Sequence, residues 1–201
     1  MSEVSNRSDC LTPPAGPVSL GFKEQNVVCE SLAAGLQVFV PRKGGLDDFD
    51  EDGGLRIERR PLALLPARFH QDADTVRPDC RNRLPPLREK VEGEFRVTLL
   101  AQVAGALLLD RIEQVEAVMP EQAFVDAVLH ERFAYRTPGL HLLLLRVWRL
   151  PSPAIVPDDD RTAGCRSWVE LPDPIDPAGA TPVIDCDEFQ KRCDAVRAAI
   201  G

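Results

Sequence analysis

The alternation of apolar and polar positions divides the chain into helical and extended stretches. Val27, Val28 and Leu32, with Cys29 beside them, recur near helical spacing and predict a helix from about Phe22 to Ala34. Gly35 is placed to end it in the left-handed C′ position. The run 36–40 predicts a strand stopped by Pro41, and residues 55–65 a second strand, with Pro61 marking an edge or a bulge. Residues 66–93 hold Pro66, Pro78, Pro85 and Pro86 and read as a long loop. Phe95–Leu109 reads as one strand bending into another at Gly105, or as a hairpin. Arg111–Val118 continues it as strand, with a helix over 107–118 as the rival.

Pro120 suits the first position of a helix whose buried stripe is Phe124, Val125, Val128, Leu129 and Phe133. Residues 139–150 form the strongest strand pattern, 165–171 a short one, and 185–200 a final helix opened by a capping box of Asp185 and Glu188. Strands and helices intersperse without a βαβ period. The expected class is therefore α+β, with a mainly antiparallel, barrel-like sheet and about three helices. Residues 1–19, rich in proline, read as a loosely attached arm, and 20–201 as a single domain.

The chain has 201 residues, 44% of them hydrophobic and 28% charged, with a net charge of −8 and a pI near 5.0. That supports a sizeable core and argues against a disordered chain, a disulfide mini-protein or a protein that coats nucleic acid, whose phosphates would repel an acidic surface. Lysine stands at only four positions, Lys23, Lys43, Lys90 and Lys191, so 20 of the 24 basic residues are arginines. Their planar forks suit carboxylate or phosphate pairing. The six cysteines have neither a disulfide framework nor a Cys-x-x-Cys, and read as reduced small hydrophobes. The polar start lacks the apolar segment of a signal peptide, and no apolar run approaches the length of a membrane span, so a cytoplasmic protein without a membrane partner is expected.

Three constellations carry candidate chemistry. Arg42-Lys43-Gly44-Gly45 follows a strand; two glycines let backbone N–H groups approach an anion, and the two cations add charge. The bland alternative is a turn whose cations pair with the acidic run 47–52. Arg146-Val-Trp-Arg149 and Arg166-Ser-Trp168 place arginine beside tryptophan, fit to stack a base and grip its phosphate, or else to pack the core. Lys23 and Glu24 with His70 and Gln71 offer a carboxylate–imidazole acid/base pair if they meet in space. Cys165 with His141 or His70 is a weaker nucleophile candidate. No metal-ligand spacing, Walker A string or dinucleotide fingerprint is present, and no cofactor is implied.

Four strings in register, Phe22-Lys-Glu24, Arg42-Lys-Gly-Gly45, 64–71 (Leu-Leu-Pro-Ala-Arg-Phe-His-Gln) and 142–151 with 164–168, resemble a bacterial family of unknown function, DUF1802, over roughly residues 20–190. Gln25 stands where that family has an aromatic residue, and Leu65-Pro-Ala67 where it has Tyr-Pro-Thr. The resemblance lends no reaction. A looser one, of a helix bearing Lys-Glu, a glycine and a strand with a basic tip, is to ASCH and pseudouridine-synthase-archaeosine-like barrels, and implies RNA or modified-base binding. The leading expectation is a non-enzymatic module binding a phosphate-bearing small molecule or RNA through Lys23, Glu24, Arg42, Lys43, Gly44, Gly45, Arg146 and Trp168. The alternatives are an enzyme on nucleotides or nucleic acid with Glu24 and His70 as acid/base, and a protein-interaction domain.

Overall fold

The computed structural model describes residues 12–44, 60–67, 73–81, 93–162 and 166–201. Among these residues seven strands form one sheet in the order β2-β5-β4-β3-β1-β6, with β7 also on β5. They are β1 (Val18–Gln25), β2 (Phe39–Arg42), β3 (Leu62–Ala67), β4 (Glu94–Leu109), β5 (Leu140–Pro157), β6 (Trp168–Ile175) and β7 (Thr181–Pro182). The helices among the described residues are α1 (Asn26–Ala33), α2 (Pro78–Arg81), α3 (Ile112–Val118), α4 (Asp126–Ala134) and α5 (Cys186–Ile200), more than the three expected. All pairings are antiparallel except β1 with β3, so the α+β, mainly antiparallel reading holds.

The sheet does not close into a barrel, which corrects that part of the expectation. Its edges, β2 and β6, carry Pro41 and Pro172 with Pro174, which lack the N–H a further ladder would need. Pro41 does not stop β2 either. Its carbonyl accepts from Arg132 Nη1 at 3.1 Å instead of from β5, so its nitrogen also faces away from β5 and no ladder bond is lost.

Phe22–Gln25 belong to strand β1, and the helix begins only at Asn26. The Phe-Lys-Glu string is therefore extended, because pairing with β3 on one side and β6 on the other outweighs a helical spacing set by only a few valines and leucines. β1 starts at Val18, inside the stretch read as an arm. β4 is a single strand, and the bend expected at Gly105 is a shift of register between Val103 and Gly105. The β reading of 111–118 gives way to its rival: Ile112, Val115 and Val118 share one helical face, with Val115 and Val118 buried. Gln114 satisfies that helix's start by accepting from Arg111 N at 3.2 Å, and donates to Ile200 O at 3.0 Å.

Pro120 opens a 3-10 turn, not α4. The backbone of 123–125 is fixed by tertiary bonds: Ala123 N donates to Gln37 Oε1 at 3.2 Å and Val125 N to Thr75 O at 2.9 Å. Asp185 caps α5 by accepting from Glu188 N at 2.8 Å. Gly35 does occupy the left-handed position after α1, with φ +67° and Ile184 too close to leave room for a Cβ.

Two apolar clusters sit on the sheet. The larger packs α1, α3, α4 and α5 against strand residues such as Phe22, Leu64 and Leu142–Leu145. The smaller is built from strand residues, including Ala63, Leu65, Trp148, Val169 and Leu171, with Ala180 beside them. Gly21 lies on that second side, where a Cβ would meet Leu65 and Leu171 carbons at 2.8 Å. The sheet curls enough that the two edge strands approach each other, and that approach positions the candidate site.

Candidate binding site at the sheet seam

Along β1 successive side chains alternate between the faces. Phe22 and Glu24 share the helix-covered side with Trp168, whereas Lys23 points with Leu65 and Val169 to the other. Lys23 Nζ donates to Thr162 O at 2.8 Å, holding the β5–β6 loop, so adjacent residues in the string serve opposite faces. Glu24 is buried and both its oxygens accept: Oε1 from Gln25 N at 2.7 Å, Oε2 from Arg42 Nη1 at 3.3 Å.

Arg42 spans the seam. From the end of β2 it pairs with Glu24 on β1, and its Nη2 donates to Ser167 Oγ, just before β6. Side chains therefore join the two sheet edges where no ladder does. The Arg42 guanidinium lies 5.1 Å from the Phe22 ring centroid, and the Phe22 and Trp168 rings stand 4.4 Å apart, tilted by 46°. Trp168 is buried, and its Nε1–H has no hydrogen-bond partner among the described residues. An unmet buried donor is costly in a closed protein and available to an acceptor from outside.

Arg132 of α4, which the sequence reading missed, joins this group. It binds the carbonyl of Pro41, lies 4.5 Å from the Phe124 ring centroid, and feels the charges of Glu24 and Arg42. Burial is the main cause holding its guanidinium below the ordinary arginine value. Nothing in the local sequence marks it, since a helical arginine beside a glutamate reads as a solvated pair. The Cys29 thiol donates to Glu24 O at 3.8 Å. Burial first, then Glu24 and Glu30, push it well above the usual thiol range, so it stays protonated and is no thiolate nucleophile.

Lys43 does not reach the seam. Its ammonium donates to Phe133 O at 3.1 Å, Gly139 O at 2.7 Å and also Thr137 O, closing the C-terminal end of α4. Gly44 takes φ +90°, as the turn reading requires. His141, opposite Arg42 in the β2–β5 register, is held below the ordinary histidine value, by burial first and then by Lys43. Replacing Lys43 with methionine is therefore expected to raise the His141 pKa toward about 6.5, read by NMR titration of its ring protons. Wild-type His141 binds fewer protons folded than unfolded. Its part in stability is thus whole above the unfolded value and declines as pH falls through the folded one. Gly45, His70, Gln71, Cys165 and the acidic run 47–52 lie outside the described residues, so the Glu24–His70 and Cys165 pairings have no structural description.

Arg146 lies elsewhere. It is 4% exposed, donates to Ile184 O at 2.6 Å and Asp185 O at 3.3 Å, and stacks near Phe189 and Trp148. It holds the start of α5. Other arginines act alike: Arg149 bonds Ala33 O at 2.5 Å, Arg192 Leu36 O at 2.7 Å and Arg77 Met119 O at 2.9 Å. Much of the arginine excess thus ties loop and helix-end carbonyls. Among the described residues no group of His, Cys, Asp or Glu is arranged to hold a metal ion, and no helix is long and apolar enough to cross a membrane.

Fold and site together define an α+β domain with one curled, open sheet whose edges meet through Arg42, paired with the buried Glu24 and bonded to Ser167. The chain belongs to the DUF1802 family: the model described as "Domain of unknown function (DUF1802)" matches residues 21–195. Among solved structures it is similar to ASCH from Zymomonas mobilis, at 10% identity over 88% of this chain and 93% of that one, with a TM-score of 0.43. A single-substitution variant of that protein gives 11% identity, 76% and 88% coverage, and also 0.43. No curated protein matches the chain.

Proposed function

We propose that this protein is a non-enzymatic binding module for a phosphate-bearing ligand, a nucleotide or RNA, taken at the seam between β2 and β6. The observation that carries this reading is local charge. In a chain of net charge −8, Arg42 and Arg132 lie near one buried carboxylate, Glu24, so the seam holds an excess of guanidinium beside aromatic rings. The unpartnered Trp168 Nε1–H adds a neutral donor. Among the described residues, the groups at the seam suited to acid/base or nucleophilic work are occupied: both Glu24 oxygens accept bonds and the Cys29 thiol stays protonated. That favours binding over turnover.

The test is a thermal-shift panel of nucleoside mono-, di- and triphosphates and short RNAs. A ligand well above its Kd is expected to raise the melting temperature by about 5 °C or more. Arg42→Lys keeps the charge opposite Glu24 but loses the two-pronged geometry, and should reduce that shift by at least half. A panel in which no phosphate compound raises the melting temperature overturns the reading.

A further inference from the structure

Most partly buried arginines near the core of this fold have a carboxylate. Arg42 has Glu24, Arg77 has Asp79 and Arg192 has Glu121. Arg132 differs. It is half-buried, and among the described residues it has no ion-pair partner. Its guanidinium is nevertheless fixed: one face lies on Phe124, with 4.5 Å to the ring centroid, and Nη1 donates to Pro41 O at 3.1 Å. The Nε and Nη2 edge of the fork bonds nothing else described. An arginine pinned flat on an aromatic ring with two N–H groups left over suits an anion with two oxygens side by side.

The charge count narrows the ligand. Glu24 is salt-bridged to Arg42, and Glu24 and Glu131 act on Arg132 only through their fields, so among the described residues the seam guanidinium without an ion pair is the single one of Arg132. A phosphodiester carries one charge and two free oxygens; a terminal monoester at neutral pH carries nearly two. We propose that Arg132, and not Arg42, makes the direct ligand contact, and that the group it takes is a phosphodiester of a nucleic-acid strand. Arg42 is then a positioning residue that keeps β2, and with it the Pro41 carbonyl, in place. This rests on the binding reading above and names the group that site recognises.

The test measures affinity by fluorescence anisotropy for a labelled oligouridylate without terminal phosphates, against competing uridine 5′-monophosphate, over a series of salt concentrations. Wild-type protein should bind the oligomer. Arg132→Gln should weaken binding at least about tenfold and lower the salt slope by about one phosphate contact. Arg132→Lys should recover part of the affinity, and Arg192→Gln, which alters a fold contact away from the seam, should leave it unchanged. Circular dichroism establishes that each variant is folded; if Arg132→Gln is not, the lysine variant decides by an intermediate affinity against none lost. Equal affinity of wild type and the Arg132 variants overturns this inference while the binding reading stands. Binding of the monophosphate in preference to the oligomer overturns the phosphodiester assignment alone. Failure of wild type to bind either probe or any other phosphate compound overturns both.

Discussion

Alanine at Arg42 is expected to be the most damaging single change at the seam, costing about 3–5 kcal/mol of stability. The Glu24 side chain is 2% exposed and that of Arg42 17%, so the variant strands a carboxylate that water barely reaches. What is lost is therefore more than one hydrogen bond. Glu24 must stay charged without its counter-ion, take up a proton, or open the structure to water. Ser167 Oγ loses its donor as well, and the two sheet edges lose the side chain that spans them. In urea denaturation the midpoint should fall with little change in slope, and the melting temperature should drop by on the order of 10 °C. The double variant Arg42→Met with Glu24→Leu should recover most of the loss, since removing both charges removes the desolvation penalty with them. A loss below about 1 kcal/mol in the single variant would mean that the pair is in effect solvated and that the seam stands open.

The second large effect is expected at Arg146. Its replacement by alanine should cost about 2–4 kcal/mol, because the carbonyls of Ile184 and Asp185 lose their donor and the space beside Phe189 and Trp148 is vacated. The damage should be local. Hydrogen exchange should speed up most over Cys186–Ile200, whose first turn Arg146 holds, and least in β3 at the centre of the sheet. Phosphate-ligand affinity of the folded variant should be unchanged, because Arg146 bonds a helix start and not the seam. A variant of normal stability with lost affinity would reverse that assignment and return Arg146 to the binding role its place beside tryptophan first suggested.

Arg42 and Arg146 mark how much was legible beforehand. The alternation of β4 and β5, the left-handed glycine after α1 and the cap of α5 are local properties, and each could be read from neighbouring residues. In the sequence, the helical spacing of Val27, Val28 and Leu32 extends back over the Phe22-Lys-Glu24 string. Only pairing with both β3 and β6 makes it a strand. Pro41 looks like a stop in the sequence, but a proline's cost in a strand depends on which way its nitrogen faces, and a neighbour distant in the sequence decides that. Residues 111–118 look like a continuation of the strand before them, whereas burial of Val115 and Val118 on one face favours helix.

The same division runs through the candidate site. Composition, the four strings in register and the local capping signals were sufficient for family and for broad class, because these depend on residue identity and short-range geometry. Which oxygen each cation meets depends on tertiary structure. Lys43 bonds backbone carbonyls, Arg146 a helix start and Arg42 a carboxylate, while Arg132, inconspicuous in the sequence, keeps donors that have no partner among the described residues. A guanidinium's role is set by whichever oxygen the fold brings within about 3 Å of it, and those oxygens belong to residues far away along the chain.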